Sequence, residues 1–65
     1  MRIDRIKLIS EMARQNLTVK ELAEKACVSR MTVSSVHSGK SVNENSARHI
    51  ARALGVELDA LKEEV

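Results

Sequence analysis

Apolar residues along the 65-residue chain recur at helical rather than strand spacing, and each run is bracketed by residues that start or stop helices. Five helices with short connectors are predicted. The first covers about 3–15, where Ile6, Ile9, Met12 and Ala13 fall on one face before Asn16 and Leu17 end it. The second covers about 19–26 and has the clearest start. Thr18 is its N-cap, Glu21 completes a capping box, and Leu17 and Leu22 close a hydrophobic staple around them. Losing that cap costs about 1 kcal/mol. Leu22, Ala23 and Ala26 make its inner face. The third covers about 30–38, capped by Ser29, with Val33 and Val36 inward and Gly39 at its left-handed stop. The fourth covers about 44–54, with Asn43 as cap and Asn45 as second choice. Its stripe is Ala47, Ile50, Ala51 and Leu54, and Gly55 ends it. The fifth covers about 58–64, with Val56 and Leu61 flanking Glu57, a poorer cap than Ser or Asp.

Only Cys27 to Ser29 separate the second and third helices. Two short helices joined that tightly cross steeply, as in a helix-turn-helix over about 19–38. Ala23 is small because the third helix passes close to it, Val28 fills the corner, and Val33 and Val36 dock the helix. Of its apolar residues, that leaves only Met31 outward. The outward face is then Arg30, Met31, Thr32, Ser34, Ser35, His37 and Ser38, with no acid among them. Such a face can approach base edges and phosphates without repulsion, and the helix N-terminus adds free N–H groups.

Composition narrows the partner. There is no Phe, Trp or Tyr, and readers of single strands usually stack bases on aromatic rings, so duplex DNA fits better. Residues 1–40 carry a formal charge of +4 and residues 41–65 carry −2, which suggests one face for an anionic partner. A chain of 65 residues is read as one domain, 1–65, burying about 60% of its unfolded surface. Cys27, His37 and His49 are too few and too scattered for a structural zinc site. Neither a cofactor nor a small-molecule ligand is expected. A lone cysteine suits a reducing compartment. No apolar run reaches membrane-spanning length, and Glu11 and Arg14 interrupt any signal-peptide core, so a cytoplasmic protein is expected.

The chain resembles the Cro and lambda-repressor class of helix-turn-helix proteins, the Xre family, over nearly its whole length. Two stretches carry the resemblance: LTVKELAEKACVSRMTVSSVHSGK, from Leu17 to Lys40, and IARALGVELDAL, from Ile50 to Leu61. The resemblance implies an all-α, five-helix domain with the third helix in the major groove. It implies base contacts from Arg30, Met31 and Ser35, with Ser34 joining them. It implies phosphate contacts from Thr18, Lys20, Thr32, Ser38, Lys40 and Ser41. Some positions depart from the family pattern. Val19 stands where a phosphate-clamping Gln is common, and Cys27 where Gly is common. Met12 and His37 stand where an ion pair often links the first helix to the third. The loop from Ser41 to Asn45 lacks the basic residues some members carry.

Plainer readings stand beside these. Arg30 also suits an ordinary solvated first-turn position, Met31 a satellite apolar contact, and Ser34 and Ser35 a plain surface. Cys27 reads as a small buried turn residue rather than a redox sensor, and His37 and His49 as surface or boundary residues. Leu58, Leu61 and Val65 suit either the core or a dimer seam. The function expected is a sequence-specific, double-stranded-DNA-binding transcriptional regulator, a repressor acting as a homodimer on a near-palindromic operator. An antitoxin or accessory protein-interaction module is the alternative. An enzyme is not expected, since the chain has no nucleophile–base pair, phosphate loop or metal cluster.

Overall fold

Each of the first four helices begins where a short polar side chain can accept a hydrogen bond from the exposed first turn. The computed structural model describes residues 1–63, and in it α1 runs Arg5–Arg14, α2 Val19–Ala26, α3 Arg30–His37, α4 Glu44–Leu54 and α5 Leu58–Leu61. Asp4 accepts from the Ile6 and Lys7 N–H groups and Thr18 from Glu21. Ser29 accepts from Thr32, and Asn43 from Ser46. At Thr18 the capping box is complete, because the Glu21 carboxylate accepts the Thr18 N–H in return, at 3.0 Å. Glu57 makes no side-chain cap bond, and α5 is a single turn.

The core is one cluster with α2 at its centre, packed on α3 and α4. Leu22, Val33, Val36, Ala47, Ile50 and Leu61 are fully buried in it. Ala23 is 2% exposed, as the close approach of α3 requires. Leu17, Val19, Val28, Val56 and Leu58 close the margins, half-buried. Leu61 thus completes the core of the single chain, while Val65 lies outside the described residues.

Four expectations change. α1 starts two residues late and turns a different face inward: Leu8 and Met12 are buried, Ile9 is half-buried, and Ile6 is 62% exposed. Ile6 lies two residues, about 200°, from Leu8, so the two cannot share a stripe. Ala13 is exposed as well. The second change is its cause. Residues 1–4 are not helical but extend between two other segments. Met1 and Val42 bond each other in both directions, at 2.9 and 3.0 Å. Ile3 and Lys62 form an antiparallel bridge, with Asp4 N–H donating to Leu61 O at 2.8 Å and Glu63 N–H to Arg2 O at 3.3 Å. Ile3 and Val42 are thereby buried. Third, α5 ends at Leu61 because Lys62 turns extended to make that bridge.

Fourth, Cys27 is exposed, not buried. It is the C-cap of α2 in the left-handed conformation, φ 58° and ψ 39°, and its N–H reaches back to the helix carbonyls. A Cβ there costs roughly 1 kcal/mol against glycine. Cys27→Gly is therefore expected to stabilise the fold by roughly that amount, seen as a Tm about 4–8 °C higher in a thermal melt. Asn16 shares the conformation, which Asn tolerates.

At the far end from the N-terminus, Gln15 Nε2 donates to Leu54 O at 2.6 Å, satisfying a carbonyl at the end of α4. Beside it, the Arg14 guanidinium, bonded to Glu11 Oε2 at 2.6 Å, holds the Glu11 carboxyl below its ordinary range.

Candidate nucleic-acid interface

The turn from Cys27 to Ser29 sets how α3 leaves α2. Val28 N–H donates to Ala23 O at 3.1 Å across the left-handed Cys27, and Val28 packs on the core. Ser29 then starts α3, and its hydroxyl also pairs with that of Thr32 at 2.8 Å. With Val33 and Val36 inward, residues at the intervening positions must face out. Arg30, Met31, Ser34 and Ser38 are exposed, and Ser35 and Thr32 are half-buried. Met31 is 78% exposed, a large apolar side chain left in water at the middle of this face.

These residues share one open groove. Arg30, Met31, Ser34, Ser35, Ser38 and Lys40 line it from α3 and its C-terminal turn, and Val19 from the first turn of α2. All four residues expected at base edges are therefore on one wall, with Ser38 and Lys40 at its end. No carboxylate among the described residues lines it. A smaller depression next to it collects Thr32, Ser35, Ser41, Val42, Asn43 and Ser46, so Ser35 borders both. Thr32 and Ser41 thus line a neighbouring depression that meets the groove at Ser35. The Thr32 hydroxyl is already paired within its turn, leaving it less free for a phosphate than Ser38.

The first turn of α2 is more encumbered than expected of an anion site. Thr18 Oγ1 accepts from Glu21 N–H, and the Glu21 carboxylate sits over the Thr18 N–H. The Thr18 hydroxyl proton stays available, as do the exposed Lys20 side chain and the first N–H groups of the helix. The Val19 side chain brings no donor to the groove it lines.

Sequence reasoning missed the N-terminal cations. Arg2 Nη2 donates to Gly39 O at 3.2 Å, in the turn between Ser38 and Lys40. Its only ion pair among the described residues is with Glu63, at 4.0 Å. No local signal points there, since the contact spans 37 residues of chain. Cys27 and His49 meet in a separate hollow with Lys25 and Arg52, away from this face. Among the described residues no set of three or more His, Cys, Asp or Glu side chains is placed to hold a metal. No helix of the described chain is long and apolar enough to cross a membrane.

Comparison with known families agrees with this geometry. A family model described as helix-turn-helix matches residues 6–61, which takes in all five helices but for the first residue of α1. No curated protein and no solved structure matches the chain. The matched span covers most of the 65 residues, and within it lie the tight α2–α3 turn and the outward, acid-free α3. The chain belongs to the helix-turn-helix proteins of the Xre and lambda-repressor class, a family of DNA-binding regulators.

Proposed function

We propose that this chain, as a single domain over 1–65, is a sequence-specific transcriptional regulator. It reads duplex DNA as a homodimer on a near-palindromic operator and represses by occluding a promoter. The observation that carries the reading is the groove in which Arg30, Met31, Ser34 and Ser35 converge with no carboxylate among the described residues. In this reading Arg30 makes a bidentate contact to guanine, Met31 packs on a thymine methyl, and the two serines approach base edges closely. Ser38, Lys40, Ser41, Thr18, Lys20 and Thr32 meet the backbone, which fixes register and supplies most of the affinity.

One domain of this size buries roughly 600–1,000 Å² on DNA, a modest area. Pairing two copies on half-sites about 34 Å apart supplies the rest, and this is the argument for a dimer. Random-sequence selection on the purified protein tests both points at once. A single inverted repeat with half-sites one helical turn apart is the expected result. Failure to retain any duplex at low salt would overturn the regulator reading and leave the protein-interaction module.

Lys40 gives a narrower test. Its side chain is exposed at the end of the groove. Lys40→Ala is expected to weaken binding to every sequence alike and to flatten the plot of log K against log salt by about one unit. An unchanged slope removes Lys40 from the phosphate contacts.

A further inference from the structure

Where Arg5 sits is unfavourable for the helix that carries it. It is the first residue of α1, and a cation in a first turn opposes the helix dipole. That turn holds no acidic residue, and the Asp4 carboxylate is spent on the Ile6 and Lys7 N–H groups. Arg5 is exposed and makes no hydrogen bond or ion pair among the described residues. Yet its stem is placed. A Cβ added to Gly39 would lie 3.5 Å from Arg5 Cδ, so the side chain runs across the turn that ends α3. Arg2 reaches the same turn through its bond to Gly39 O. The turn itself leads from Ser38 to Lys40, both of which line the groove. Three cations thus ring Gly39, and Glu63 beside Arg2 is the only carboxylate paired with any of them among the described residues.

The segment that holds Arg2 and leads into Arg5 is seated, not trailing. Ile3 is 2% exposed, and backbone bonds tie residues 1–4 to the loop at Val42 and to Leu61 and Glu63. The backbone that carries them is therefore fixed before any ligand arrives.

We propose that Arg5 and Arg2, with Lys40, form a phosphate clamp around the Gly39 turn, which takes backbone phosphate beyond the residues of α3 that face the bases. This rests on the duplex-DNA reading above. Arg5 is the free member, and Arg2 supports it while closing the turn. The clamp carries no base preference, because a guanidinium on phosphate reads charge and position only.

The experiment compares wild type, Arg5→Ala and Arg5→Lys on the selected operator and on random duplex, over a range of salt, with phosphate-ethylation interference on the operator. In Arg5→Ala the slope of log K against log salt is expected to flatten by about 0.9, equally on both duplexes. At least one phosphate whose ethylation blocks wild type should become indifferent. Arg5→Lys should keep the slope. Thermal melts should show no loss of stability in either variant, since Arg5 has no partner to lose among the described residues and its charge opposes the dipole of α1. If wild type binds but Arg5→Ala keeps its slope and its full set of interfering phosphates, the clamp is refuted and the regulator reading stands. If wild type binds no duplex at any salt, both fall together.

Discussion

Arg30→Ala is expected to lower affinity for the operator by roughly 5- to 150-fold, the 1–3 kcal/mol of one bidentate base contact, while leaving affinity for random duplex nearly unchanged. The side chain sits at the first position of α3, exposed, on the wall shared with Met31, Ser34 and Ser35. Nothing in the fold should suffer. Arg30 makes no hydrogen bond or ion pair among the described residues, and alanine is the better helix former. A loss of operator binding with an unmoved Tm therefore reports on the interface alone. Arg30→Lys separates charge from geometry: lysine keeps the phosphate attraction but cannot make the planar fork, so it should bind random duplex like wild type and the operator like alanine. Titrations on the two probes by mobility shift give the ratio directly. Equal losses on operator and random duplex would make Arg30 a phosphate contact, and sequence reading would have to rest on Met31 and the serines.

The helices of this chain are legible from sequence where local chemistry decides them. Thr18, Ser29 and Asn43 each cap the helix expected of them, and α2 and α4 begin and end where their caps and stops place them. The inward residues of α3 follow from a period of 3.6 once its length is known, and so does the composition of its outer wall. What local chemistry does not encode is pairing across long separations. The extended residues 1–4 are held by partners 41 and about 60 positions away, and no nearby residue announces them. That single feature shifts the start of α1, turns Ile6 out, and cuts α5 at Leu61. It also brings Arg2 and Arg5 to Gly39, so it hides part of the candidate site as well. Cys27 is a different case. Its left-handed cap follows from the tight turn, but a residue at such a cap stands off the helix and into water, which the usual burial of cysteine obscures.

A large effect on folding is expected at Leu61. It is fully buried although it ends a helix of four residues whose cap makes no side-chain bond. Leu→Ala at such a site costs about 2–5 kcal/mol. A chain of 65 residues has roughly 3–10 kcal/mol in all, so between about a fifth and all of the stability is at stake. The expected fall in Tm is between roughly 8 and 40 °C, at about 4–8 °C per kcal/mol. Ile6→Ala is the matched control, because a residue 62% exposed should move stability by no more than about 0.5 kcal/mol. Sequence periodicity alone would rank these two the other way, with Ile6 in the core stripe and Leu61 shared between core and dimer seam. Leu61 O also accepts the Asp4 N–H, so loosening α5 loosens the segment that carries Arg2 and leads into Arg5. Below its melting point, Leu61→Ala should therefore show faster amide exchange at Asp4 and Val42 than at Leu22, in the centre of α2. A melt in which Ile6→Ala falls as far as Leu61→Ala, or exchange that quickens evenly through the chain, would mean that α1 faces the other way and that the N-terminal segment is not held by α5.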